Sequence, residues 1–206
     1  DTYNTAVGYN AGLAVNSGVQ NTLIGGKAGD GMTSGGNNTA VGFESLSAVC
    51  TGSYNTAVGR IAMRDMTSGT ENTGLGNAAL LVNTDGNYNT SVGSDSLKAN
   101  VSGHNNTAVG FEALQANTAS NNIAIGYQAG LALTSGASNV VIGNEALDAA
   151  TTATQNVVIG KDAMGAVPSG QAVAQVVAIG LNAIYGSAST TTGIDGTVAI
   201  GYEAGK

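Results

Sequence analysis

A five-residue phrase, Asn-Thr-Ala-Val-Gly or a close variant, recurs twelve times along this chain, and its period leaves few folds open. The closing glycines are Gly8, Gly25, Gly42, Gly59, Gly76, Gly93, Gly110, Gly126, Gly143, Gly160, Gly180 and Gly201. They are separated by 17 residues six times, then by 16, 17, 17, 20 and 21. At such a period each copy is one unit that cannot bury its apolar face alone and stacks on its neighbours. The repeat runs from end to end, so we read residues 1–206 as a single domain of about twelve turns. Turns of 16–17 residues fill 4–160, and longer turns fill 161–206.

Within a turn, the residues before each closing glycine suit a strand. Asn106-Thr107-Ala108-Val109 is short and β-compatible, and Asn139-Val140-Val141-Ile142 and Asn156-Val157-Val158-Ile159 are β-branched and apolar on both faces. A strand apolar on both faces is buried on both. One face covers the interior of its own coil, and the other calls for a second chain. A small residue always stands three places after the glycine, and Leu, Met or Ile usually follows it, as in Ser45-Leu46 and Ala113-Leu114. These large residues are expected to plug the coil. Phe111–Ala116 reads equally as a short helical turn or a second short strand. A second glycine recurs ten residues after the first, as at Gly18, Gly35, Gly69 and Gly103, and is expected to supply a turn of positive φ. Asn opens ten of the twelve strands, and stacked asparagines form hydrogen-bonded ladders. The fold expected is an all-β solenoid rod with short helical turns, assembled as a parallel homotrimer. At about 4.8 Å per level it is on the order of 55–60 Å long.

Composition narrows the partners. The net charge is −7 with six basic residues, which provides no cationic track for nucleic acid. No apolar run reaches the roughly 20 residues that span a bilayer, so membrane insertion is not expected. Asp1 is not preceded by Met, and Thr2-Tyr3-Asn4 parallels Ser53-Tyr54-Asn55, so the chain reads as a processed product or a fragment of something longer. Cys50 is the lone cysteine, which excludes an intrachain disulfide.

Asn4-Thr5-Ala6-Val7-Gly8-Tyr9-Asn10-Ala11-Gly12 and Asn122-Ile123-Ala124-Ile125-Gly126-Tyr127-Gln128-Ala129-Gly130 resemble the repeats of bacteriophage tail fibres and related tail-fibre-domain proteins. Val176-Val177-Ala178-Ile179-Gly180 and Thr197-Val198-Ala199-Ile200-Gly201 are similar to the head repeats of trimeric autotransporter adhesins, whose repeat is shorter. The resemblance implies a trimeric extracellular rod on a virion tail fibre or a bacterial cell surface. Three functions stay open: a fibre shaft or receptor-binding segment, an adhesin head, and a self-assembling filament.

Candidate sites fall in columns. Tyr9, Phe43, Phe111, Tyr127 and Tyr202 follow the strand glycine and suit sugar stacking, although aromatics at fixed positions more often serve packing. Asp95, Glu112, Glu145 and Asp162 belong to an acidic column whose neighbouring levels could share a hard cation. The alternative is a solvated edge that limits aggregation. The threonines at 5, 22, 39, 56, 73, 90 and 107 resemble an ice-binding face, but Ile123, Val140 and Val157 later take their place and point to burial. His104 is the only histidine and sits in a variable turn, so no catalysis and no cofactor is assigned. The long turns at 166–175 and 186–196 are the expected contacts with a cell-surface glycan or protein receptor.

Overall fold

The structure, a computed structural model, describes residues 2–186 and 193–205. Twelve three-residue strands follow in chain order: β1 (Thr5–Val7), β2 (Thr22–Ile24), β3 (Thr39–Val41), β4 (Thr56–Val58), β5 (Thr73–Leu75), β6 (Thr90–Val92), β7 (Thr107–Val109), β8 (Ile123–Ile125), β9 (Val140–Ile142), β10 (Val157–Ile159), β11 (Val177–Ile179) and β12 (Val198–Ile200). They form one parallel sheet in sequential order. Register is strict at every step, as in Thr39↔Thr56 and Val157↔Val177. This is the expected β-solenoid, with each turn one level of the coil. No helix forms among the described residues, which corrects the expectation of short helical turns.

The reason lies in the backbone. Among the described residues, all 31 non-glycine residues with positive φ fall in three columns. One column is two places after the strand glycine (Glu44, Glu112), one is four places after it (Leu46, Leu114), and one precedes the strand asparagine or, at Gln175, the valine in its place (Asn37, Tyr54). Left-handed backbone costs roughly 1–2 kcal/mol per residue. Here it turns each N–H along the rod axis toward a neighbouring level. Glu44 donates to the Gly26 carbonyl at 3.0 Å, Leu46 to the Ala62 carbonyl at 3.0 Å, and Tyr54 to the Gly36 carbonyl at 3.1 Å. A helical turn would spend the same N–H groups within its own level. The wall opposite the sheet is therefore a stack of turns bonded from level to level, neither helix nor strand.

The interior is narrow and solid. The middle residue of each strand from β2 to β12 points inward and is buried, as are the plugs Leu46, Met63, Leu80, Leu97, Leu114, Leu147 and Met164. At the N-terminal end, volume moves from the plug position to the strand. At level 2 the strand carries Leu23 where most levels carry Ala, and the plug positions of levels 1 and 2 are Gly12 and Gly29. A Cβ at either glycine would stand 2.8 Å from a Leu23 methyl. One leucine thus fills the space that two plugs leave.

The glycines ten residues after the strand glycine correct a second expectation. Only Gly170 among them has positive φ. Gly35 and Gly52 are required by proximity instead: a Cβ on them would lie 2.3 and 2.0 Å from the carbonyl oxygen one level on.

The asparagine ladder forms as expected. Asn89, fully buried, donates its backbone N–H (2.9 Å) and its Nδ2 (3.1 Å) to Asn72 Oδ1, and donates Nδ2 to the Gly103 carbonyl (2.8 Å). Its own Oδ1 accepts from the N–H and Nδ2 of Asn106. The ladder closes where the Val176 N–H donates to Asn156 Oδ1 at 2.9 Å. Every rung satisfies buried backbone groups that water cannot reach.

Candidate functional site

The surface with the most distinct chemistry is the outer face of the sheet. Because side chains alternate along a strand, the first and third residues of each strand point outward and form two parallel columns. The first runs Thr from β1 to β7, then Ile123, Val140, Val157, Val177 and Val198. The third is Val, Ile or Leu at every level. Neither column contains a charge across twelve levels. Burial in both is intermediate or exposed throughout, and Val7, Val198 and Ile200 are more than half exposed.

Two sets of threonines differ in what their hydroxyls do. Those at 67, 84, 118 and 134, on another corner, donate Oγ1 to the carbonyl of the next level at 3.0–3.2 Å. The seven on the sheet face donate their backbone N–H to the next level, but their hydroxyls have no hydrogen-bond partner among the described residues. Their hydroxyls are left for something outside the chain.

The aromatic column flanks this face. Tyr9, Phe43, Phe111, Tyr127 and Tyr202 are each at least 44% exposed, so none packs into the interior. Phe111 and Tyr127 stack with centroids 5.7 Å apart and planes 11° from parallel. Phe43 lies under Lys27 Nζ, 6.0 Å from its centroid, and Lys27 also pairs with Glu44 at 3.1 Å. Tyr54 and Tyr88 line the other flank, and Tyr54, Glu71 and Thr73 border a depression of about 420 Å³.

The acidic column is distributed rather than clustered. Asp95 pairs with Lys98 at 2.9 Å, Asp162 pairs with its neighbour Lys161, and Glu112 accepts from Gln128 Nε2 at 2.7 Å. No group of three metal-ligating side chains forms among the described residues. Asp148 stands nearby with a buried Oδ1 that has no partner. Burial, reinforced by Glu145 and Asp162, holds its carboxyl above the usual range.

His104 belongs to a structural ladder. Its Nδ1 accepts the Asn87 N–H at 2.9 Å, and its own N–H donates to Ser120 Oγ at 2.9 Å. Cys50 is buried, and desolvation pushes its thiol up to about 11. Among the described residues, Lys27, Arg64, Lys98 and Lys161 pair with acids, and no helix is long and apolar enough to cross a membrane.

Sequence reasoning missed one buried polar feature. Asn83, Asn100 and Asn117 occupy a core corner that elsewhere holds Met32, Met66 or Leu133. Asn100 Oδ1 and Asn117 Nδ2 have no partner. The signal was present as Asn seven residues after three successive strand glycines. Directly before these asparagines in sequence, Val82, Ala99 and Ala116 line a groove of about 440 Å³ with Leu81, Lys98 and Gln115.

Of the two long turns, 166–175 folds back through Val167 and Val173, which are buried, and Thr154 bridges Ala174. The other lies partly outside the described residues, which exclude 187–192. No protein-family model matches the chain, and comparisons with curated proteins and with solved structures find no match either.

Proposed function

We propose that this chain is a structural and adhesive segment of an extracellular fibre, a shaft or receptor-binding region of the kind found in phage tail fibres, working as a homotrimer. The observation that carries the reading is the continuity of the rod. Each level is tied to its neighbours through its strand, its turns and the asparagine ladder, and the interior is filled along its length. Such a coil bears load along its axis and presents the same side chains at each level. The long turn at 166–175 and the aromatic column around Phe111 and Tyr127 are the contacts assigned to a cell-surface glycan or protein. Weak contacts repeated around three chains gain avidity without any deep pocket. We assign no catalysis.

Two measurements test this reading. Light scattering is expected to give three times the chain mass of 20.1 kDa, and a single-chain mass would overturn the homotrimer. Whole-cell binding and a glycan array, with Tyr127→Ala beside the parent protein, are expected to show at least a tenfold loss of binding. Silence on the array, with cell binding unchanged on deleting 168–173, would reduce the protein to a passive shaft.

A further inference from the structure

We infer that the flank of the sheet carrying Tyr54, Glu71 and Tyr88 binds an extended, neutral, β-1,4-linked glycan, which lies along the rod with one sugar to each level. This rests on the adhesive reading above, to which it adds a ligand class and a second site, across the sheet from Phe111 and Tyr127.

The side chains on this flank are uncommitted, whereas the backbone is not. Tyr54, Glu71 and Tyr88 each precede a strand asparagine on successive levels, in left-handed backbone with φ of 63°, 56° and 59°. Their N–H groups donate to the Gly36, Ser53 and Thr70 carbonyls of the level before, each at 3.1 Å. Those donors are spent, so a peptide strand finds no free N–H edge here. Tyr54 and Tyr88 are 61% and 55% exposed, and Glu71 is exposed. None of these three side chains, nor the Thr73 hydroxyl beside them, has a hydrogen-bond partner among the described residues. Tyr54, Glu71 and Thr73 border the depression of about 420 Å³.

A sugar suits this mixture. A pyranose has a C–H face that stacks on an aromatic ring, and a rim of hydroxyls that donate to a carboxylate and exchange bonds with hydroxyls and amides. Charge narrows the class. From Tyr3 to Gln175 this column holds one charge, Glu71, and the two strand columns beside it hold none. A sulfated, phosphorylated or carboxylated sugar would meet a like charge and no cation, which is unfavourable.

Spacing selects the linkage. Levels follow one another at about 4.8 Å, close to the advance per sugar of an extended glycan. Tyr54 and Tyr88 are two levels apart, about 10 Å. In a β-1,4-linked chain each sugar is turned half a revolution from the last, so sugars two apart present the same face. These two stack on the two tyrosines, and the sugar between them turns its hydroxyls to Glu71. Asn37 on one side and Asn105 on the other, both exposed and with unpartnered side-chain amides among the described residues, extend the track over five levels. An α-1,4-linked chain coils and leaves this register.

The test uses the full chain. Calorimetry is expected to show binding of cellohexaose or chitohexaose at least tenfold tighter than maltohexaose, the α-1,4-linked control. Tyr54→Asn and Tyr88→Asn are each expected to weaken it at least fivefold. Asn already holds this position at 37 and 105, with φ of 58° and 57°, so both variants keep the fold, as an unchanged circular dichroism spectrum checks. Tyr127→Ala, on the other flank, is expected to leave hexamer affinity unchanged. Silence with both β-1,4-linked hexamers, equal affinity for maltohexaose, or full affinity in the Tyr54→Asn/Tyr88→Asn double variant overturns the inference. Whole-cell binding separates this site from the adhesive reading. Cells bound without any hexamer binding leave adhesion standing and overturn this site, whereas hexamer binding lost in the double variant, with no cells bound, upholds the site and removes the adhesive reading.

Discussion

Leu23 allows a quantitative test of how the interior is filled. It is fully buried in β2 and reaches toward both Gly12 and Gly29. In Leu23→Ala nothing nearby replaces the lost atoms, because the plug positions of its own level and the one before are glycine. The loss is expected near the upper end of the roughly 3–5 kcal/mol seen for buried Leu→Ala changes. Gly29→Leu alone drives a side chain into the space Leu23 occupies, an overpacking cost of about 1–3 kcal/mol. The backbone itself accepts leucine there: φ is 60° at Gly29 and 51° at Leu46, which fills the same position one level on. The double variant Leu23→Ala/Gly29→Leu recreates level 3, where Ala40 sits beside Leu46. It is expected to recover most of the loss, which requires a coupling of about 4–6 kcal/mol, above the usual range of about 0.5–3 for residues in contact. The assay is equilibrium urea unfolding of the four proteins at one fixed chain concentration, since assembly contributes to apparent stability. Additivity of the two single changes within about 0.5 kcal/mol would refute volume compensation.

Three further outcomes are expected. Asn89→Ala leaves the buried Asn106 N–H without its partner, while the Gly103 carbonyl keeps Asn100 Nδ2 at 3.0 Å, and is expected to lose about 2–3 kcal/mol; Asn144→Ala, exposed and outside the ladder, stays within about 0.5 kcal/mol by the same denaturation assay. Cys50 is expected to react with a thiol reagent at pH 8 only after the chain is unfolded, because burial raises its pKa to about 11; as pH rises past the ordinary thiol range, the unfolded chain loses this proton first and folding weakens. The Asp148 carboxyl is raised by burial in the folded chain, so its ionised form opposes folding at neutral pH and stability recovers as acid protonates it. Asp148→Asn should raise the thermal midpoint at pH 7 and remove that part of the acid-side gain, checked by melts between pH 4 and 8.

Much of this architecture was legible because the side chains that build it have one dominant use. Asn at the head of ten strands, Leu or Met behind a small residue, and β-branched residues before each glycine led directly to the ladder, the plugs and the strands. The turn wall was not legible. Glu44, Leu46 and Tyr54 are not residues that favour left-handed backbone, and the inter-level bonds that hold them there are long-range. The one local hint was the exchange of Leu for Gly at 12, 29, 130 and 205, all with positive φ. The recurring second glycine was misread for the opposite reason. Its usual role in turns is conformational, whereas here a neighbouring carbonyl leaves no room for a Cβ. The two classes of threonine look alike in sequence, and only the coil separates those that bond along the rod from those that face outward.

Small-angle X-ray scattering across a concentration series tests the central claim most directly. A laterally assembled rod is expected to keep a long dimension of roughly 55–60 Å, set by twelve levels at about 4.8 Å, while its cross-section exceeds that of one coil. A long dimension that grows with concentration, or a cross-section no wider than a single chain, would contradict the account.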